Sequence, residues 1–191
     1  MYSVDFDEIQ QMQHEDKWEE LNATMADAAK RVELAGAEIV ALCTNTMHLC
    51  EKEIREAISI PFLHIAEATG HEIRKRGVSR VALFGTRFTM EKDFYKDLLK
   101  KKYGVDVIIP DLQDRKIIHN TIYNELVRGE INDISREKFI TIIGKLQMQG
   151  AQGVILGCTE IPLLISENDV EIPVFDTTTI HAEMAVEWAL S

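Results

Sequence analysis

Residues 36–46 read GAEIVALCTNT, and residues 150–160 read GAQGVILGCTE. Both segments open on Gly-Ala, pass through an apolar run and close on small polar residues. Aligned from the Gly-Ala pair, Thr44 falls opposite Cys158, and Cys43 falls opposite Gly157. A short apolar run bounded by turn residues reads as a buried strand. Its polar end is then the carboxyl end, where open parallel sheets hold ligands. One segment carries a hydroxyl at the position where the other carries a thiol.

The match extends outward from these segments. IPFLHI follows the first at 60–65, and IPVFDT follows the second at 172–177. The interval from Thr44 to Ile60 is 16 residues, and from Cys158 to Ile172 it is 14. Further back, SVDF at 3–6 takes the place of VDVIIPD at 105–111. The chain therefore reads as two similar halves. Strands are expected near 2–6, 39–42, 61–65, 80–86, 105–109, 154–156 and 173–175. Helices are expected at 17–35, 47–57, 67–77, 90–103, 117–128, 136–149 and 179–190, with another starting at 161–165. Continuous apolar strands alternating with amphipathic helices predict a parallel α/β architecture.

The halves are not equal. RVALFGT at 80–86 opens the second half, and the first half shows no counterpart. A strand, its loop and a helix, roughly thirty to forty residues, are expected to be missing there. The opening strand of a doubly wound sheet is usually central, so the first half taken alone is expected to be unstable.

Composition narrows the function classes. Hydrophobic content of 46% and charged content of 28% suit a soluble globular chain. The formal charge of −11 opposes a phosphate backbone, so nucleic acid is not an expected partner. Lys100, Lys101 and Lys102 read as a solvated helix end. No apolar run is long enough for a membrane span, and MYSVDFDEIQ has neither the basic nor the apolar region of a signal peptide. Three cysteines without CxxC spacing argue against a disulfide framework or zinc ribbon and for a reducing cytoplasm. His71-Glu72 is not HExxH, because Lys75 occupies the last position. No metal cluster, phosphate-binding glycine loop or Schiff-base lysine stands out, so no cofactor is expected.

If Thr44 and Cys158 face each other across a cleft, two related groups approach a ligand from opposite sides. That geometry suits removal of a proton from one face of a carbon and delivery to the other. A thiolate serves as the base when its pKa is tuned to the working pH. Asn45, Thr46 and Thr159 are placed to donate hydrogen bonds to a substrate carboxylate.

The residues Thr44-Asn45-Thr46-Met47-His48 resemble the Cys-Asn-Thr-x-His segment of the aspartate/glutamate racemase family. GCTEIPLL at 157–164 resembles that family's second cysteine motif. SVDF, FLHIAEAT and VFDTTTIHAE also follow its pattern, so the resemblance covers essentially the whole chain. It implies two pseudo-symmetric, flavodoxin-like α/β domains with the active site between them. The first would span 1–77, joined by a C-terminal helix at 178–191, and the second 78–177. The resemblance further implies a cofactor-independent amino-acid racemase, often a homodimer, in the cytoplasm. The second catalytic cysteine carries over to Cys158, and the first catalytic position falls on Thr44. The family's opening Gly-Gly-x-Ser loop has no match here, which leaves a truncated first domain.

Each site residue has a plainer reading beside the functional one. Asn45 and Thr46 cap a following helix as readily as they bind substrate. Thr86 contacts substrate or caps the next helix. Glu160 tunes Cys158 or is a first-turn acid. Gln13 stands at the mouth of the site or in a solvated loop. His48 orients Thr44 or is a structural helix histidine. His181 reaches back to the first domain or lies on the surface. Cys43 replaces Thr44 only if a bulge reverses its face, because neighbours on a strand point to opposite sides. A related isomerase or decarboxylase, or a non-catalytic small-acid binder, fits the same pattern.

Overall fold

The computed structural model describes residues 1–191. The backbone forms two compact units: Met1–Leu42 with Met47–His64, and Cys43–Thr46 with Ile65–Ser191.

The smaller unit contains helices α1 (Phe6–His14), α2 (Trp18–Leu34) and α3 (Glu51–Ala57), with strands β1 (Val40–Ala41) and β2 (Phe62–Leu63). No strand forms at 2–6. Asp5 instead caps α1, its carboxylate accepting from the backbone N–H groups of Asp7 and Glu8. Residues 1–8 are exposed, so the alternating apolar residues Tyr2, Val4 and Phe6 find no partner surface and the pattern selects nothing. The core of this unit is Leu21, Met25 and Ala29 of α2 packed with Val40, Ile54 and Phe62.

The larger unit is a four-stranded parallel sheet of order β4-β3-β5-β6, built from β3 (Arg80–Gly85), β4 (Asp106–Ile108), β5 (Val154–Gly157) and β6 (Val174–Asp176). Val81 and Leu83 face one side, against Ile65 and Ile73 of α4 (Ile65–Lys75) and Tyr95 of α6 (Asp93–Leu98). Ala82 and Phe84 face the other, against Ile118 of α7 (Leu112–Asn124) and Phe139 and Ile142 of α8 (Asp133–Met148). Helices cover both faces, which is why these strands are apolar throughout. The helix expected at 90–103 is broken into α5 (Arg87–Glu91), α6 and a π turn at Leu99–Tyr103. The lysines of that turn pair with Asp106, Asp97 and Glu67, as expected of a solvated end. The last helix, α9 (Thr177–Ala189), packs on α4 within the larger unit. Packing therefore divides the chain at Ile65, not Gly77, and places 178–191 with the second half. His181 is buried, not on the surface.

The repeat is visible inside each unit. Val40 pairs with Phe62 as Val154 pairs with Val174, both parallel. Val40 N–H donates to the Pro61 carbonyl, and Val154 N–H to that of Pro173, each at 2.9 Å. Gly36 and Gly150 end the preceding helices with φ of +92° and +93°. Both donate to the carbonyl three residues back, Glu33 and Gln147, at 2.9 Å. A side chain at either position would be held in the left-handed region, so glycine is required twice for one turn. The match stops at SVDF, which does not form a counterpart of β4.

Candidate active site

In the larger unit the chain leaves β3 toward β4 on one side, while β5 lies on the other. This reversal of strand order is where open α/β sheets bind ligands, beyond the carboxyl ends of the strands. Thr86 follows β3 there and Cys158 follows β5, with Gly85 opposite Gly157 in register. Residues 43–46 belong to the same unit. Thr44, Asn45, Thr46, Thr86, Cys158, Thr159 and Glu160 are thus brought into one body.

Cys158 is 8% exposed, and its thiol donates to Glu160 Oε2 at 2.9 Å. Burial pushes the thiol well above the ordinary cysteine range, and the Glu160 charge and hydrogen bond push the same way. The backbone N–H groups of Glu160 and Thr159 oppose the shift. The resting group is therefore a protonated thiol, and a cation arriving beside it would lower its pKa. Glu160 acts directly on Cys158. The first-turn reading fails, because Ile161–Leu163 is a single 3₁₀ turn and not a helix. Replacing Glu160 with glutamine is expected to speed iodoacetamide labelling of Cys158 at pH 8, followed peptide by peptide. The rate should stay below that of the exposed Cys43, since burial persists. Unchanged or slower labelling of Cys158 would contradict this account of the thiol.

Asn45 is 3% exposed. Its Nδ2 donates to Thr177 Oγ1 at 3.0 Å, and Thr177 Oγ1 donates to the Leu156 carbonyl at 2.8 Å. Thr177 has one hydroxyl proton, which goes to Leu156, so it can only accept from Asn45. That fixes the amide orientation. Asn45 Oδ1 is left buried without a partner. The group it presents is an acceptor, suited to an ammonium, where the sequence suggested a donor for a carboxylate.

Thr86 takes the capping role expected of it. It caps α5, accepting from the N–H of Thr89 at 3.3 Å, and its hydroxyl lies 2.9 Å from that of Thr46. Thr46 begins a 3₁₀ turn that runs to Cys50 before α3, in place of the continuous helix expected at 47–57.

Gln13 and His48 lie in the smaller unit. Gln13 is buried on α1, with Nε2 donating to Met47 Sδ at 3.0 Å, so the solvated-loop reading fails. His48 is buried beside Phe62 and His64, its ring centroid 4.3 Å from that of His64. His64 holds the Glu51 carboxyl down at about 2.

Sequence reading missed three residues here. Tyr123 is pushed up to about 12 by burial and then by the charges of Cys158 and Glu160, while Arg87 pulls it down. Tyr123 packs against the cluster that contains Cys158, and Arg87 stands near Tyr123, although no local motif marks either. Thr89 is fully buried against Thr46 and Thr86. Its place three residues after Thr86 was the available signal. No group of three His, Cys, Asp or Glu residues stands where it could hold a metal ion, and no helix is long and apolar enough to cross a membrane.

The model of the Asp/Glu/Hydantoin racemase family matches residues 1–185. The broad specificity amino-acid racemase RacX of Bacillus subtilis is 28% identical, over 91% of this chain and 74% of RacX. A crystal structure described as a putative Asp/Glu racemase from Yersinia pestis superposes with a TM-score of 0.91 at 46% identity, over 100% of this chain and 83% of that one. An aspartate racemase homologue from Pyrococcus horikoshii gives a TM-score of 0.86 at 37% identity, over 100% and 82%. Matched over residues 1–185, the chain belongs to the Asp/Glu/hydantoin racemase family of isomerases.

Proposed function

We propose that this chain is a cofactor-independent racemase of small acidic amino acids, aspartate or glutamate, with Cys158 and Thr44 as the two proton-transfer groups. The observation that carries this reading is the buried, unpartnered Asn45 Oδ1, tied through Thr177 to the β5 carbonyl two residues before Cys158. An acceptor at that place fits the substrate ammonium. The ammonium in turn lowers the Cys158 pKa and offsets the Glu160 charge. Thr46, Thr159 and Thr86 hold the substrate carboxylate. Gln13 and His48, in the smaller unit, are assigned supporting roles on the motif alone.

The thiol and the hydroxyl are unequal partners. A thiolate forms near neutral pH once its pKa is lowered, whereas a threonine hydroxyl needs another base to become one. A hydroxyl can still donate a proton to an α-carbanion, which is far more basic. α-Proton exchange is therefore fast for the enantiomer whose α-proton faces Cys158. Exchange of the other enantiomer's α-proton waits on deprotonation of Thr44. Its proton transfers need no cofactor. Three cysteines without CxxC spacing fit a reducing cytoplasm, and a homodimer is the assembly proposed from the family motifs.

The test is α-proton exchange in D₂O, read by mass spectrometry, with each enantiomer of aspartate and glutamate. Uptake from at least one is expected, and its absence from all four would remove the acidic-substrate reading. Thr44→Cys should accelerate the slower enantiomer by about a hundredfold and bring the two rates toward equality. Equal rates in the unmodified chain would contradict the assigned asymmetry.

A further inference from the structure

Thr89 stands where the ends of β3 and β5 meet, and it is fully buried. Its hydroxyl lies 3.2 Å from that of Thr46 and 3.3 Å from that of Thr86, which are themselves 2.9 Å apart. The three oxygens close a triangle, and the Thr86 oxygen also accepts the Thr89 backbone N–H. The methyl group of Thr89 points at two glycines. A Cβ on Gly85 would lie 3.1 Å from Thr89 Cγ2, and a Cβ on Gly157 would lie 3.2 Å from the same atom. The side chain thus fills space that only glycine leaves open, on the two paired residues that precede Thr86 and Cys158.

We infer that Thr89 is a positioning residue with two separable functions. Its hydroxyl fixes the Thr46 and Thr86 hydroxyls, and its methyl fixes the strand end that carries Cys158. The Thr89 hydroxyl can donate to Thr46 Oγ1 while the Thr89 backbone N–H donates to Thr86 Oγ1, which leaves the single protons of Thr46 and Thr86 for a carboxylate. Without the Thr89 oxygen, the Thr46 hydroxyl keeps a single neighbour in this cluster and loses its fixed direction. Without the methyl, a gap opens beneath Gly157, and the Cys158 thiol is no longer held in place by packing. The hydroxyl function rests on the racemase reading of the site. The methyl function does not.

Thr89→Val keeps the methyl and removes the hydroxyl, and Thr89→Ser does the reverse. Two measurements separate the functions. The first is iodoacetamide labelling of Cys158, followed peptide by peptide with no amino acid present. Thr89→Ser is expected to raise the labelling rate severalfold, and Thr89→Val to leave it near that of the unmodified chain. The second is α-proton exchange with aspartate or glutamate. Thr89→Val is expected to raise KM about tenfold with kcat within about twofold, while Thr89→Ser leaves KM unchanged. Equal labelling rates in all three proteins would overturn the methyl function. An unchanged KM in Thr89→Val, or parallel losses in both variants that follow a falling Tm, would overturn the hydroxyl function. If the unmodified chain exchanges no amino acid, the racemase reading and the hydroxyl function fall together, and labelling alone decides the methyl function.

Discussion

Replacing Cys158 with alanine is expected to lower α-proton exchange from the faster enantiomer by roughly 10²–10⁴-fold, the range a positioned acid or base contributes. The fold should survive. Cys158 lies after the end of β5, where its thiol meets Glu160, and the sheet is built from the strands behind it. The loss should therefore appear in kcat without a matching fall in Tm. Serine is the more searching substitution, because it keeps a proton donor of similar size. If Cys158 acts as a base, serine should be nearly as poor as alanine, since a hydroxyl is intrinsically a far weaker acid than a thiol. If Cys158 only donates, serine should retain much of the rate. Exchange that persists in both variants would move the chemistry elsewhere, and Tyr123 would be the group to examine, as a neighbour of the same charges.

The parts of the fold legible in the sequence were those with a strong physical signature. Buried parallel strands demand unbroken apolar runs, and the helix-to-strand turns at Gly36 and Gly150 demand a residue tolerant of positive φ. Both signals are local, so aligning GAEIVALCTNT on GAQGVILGCTE located β1 and β5. The errors arose where a local pattern competed with tertiary context. SVDF alternates like a strand, but a capping aspartate and an absence of burial made it the lead into α1. The segments after Thr46 and Glu160 have helical composition, yet each begins as a 3₁₀ turn. The residues at the site followed the same division. Those inside the repeated motifs could be named; Thr89 had only its place three residues after Thr86 as a signal, and Tyr123 reaches the site through packing of α7 on β3, which no spacing in the chain encodes. Asn45 was identified, but its polarity was not. Only the hydroxyl of Thr177, 132 residues away, fixes which end of the amide remains free.

Gly157→Ala and Gly144→Ala are the same chemical change and are expected to act in opposite directions. A Cβ on Gly157 would come within 2.6 Å of the Phe84 carbonyl oxygen and 3.0 Å of Leu83 Cδ1. The nearer atom is backbone in the neighbouring strand and cannot rotate away. Strand β5 would have to move from β3, at a cost of about 3 kcal/mol, which for a chain of this size lowers Tm by roughly 6–12 °C. The displaced residue adjoins Cys158, so exchange should also fall in whatever protein remains folded. Gly144 lies inside α8, and a Cβ there meets nothing within 4 Å. Alanine at that position should add about 0.5–1 kcal/mol, because it narrows the unfolded ensemble and favours the helix. Thermal unfolding of the two variants beside the unmodified chain checks both signs. A Gly157→Ala protein as stable as the parent would mean that β3 and β5 part easily at their carboxyl ends. The same flexibility would remove the rigid seat on which the Cys158 thiol and the Thr89 methyl depend.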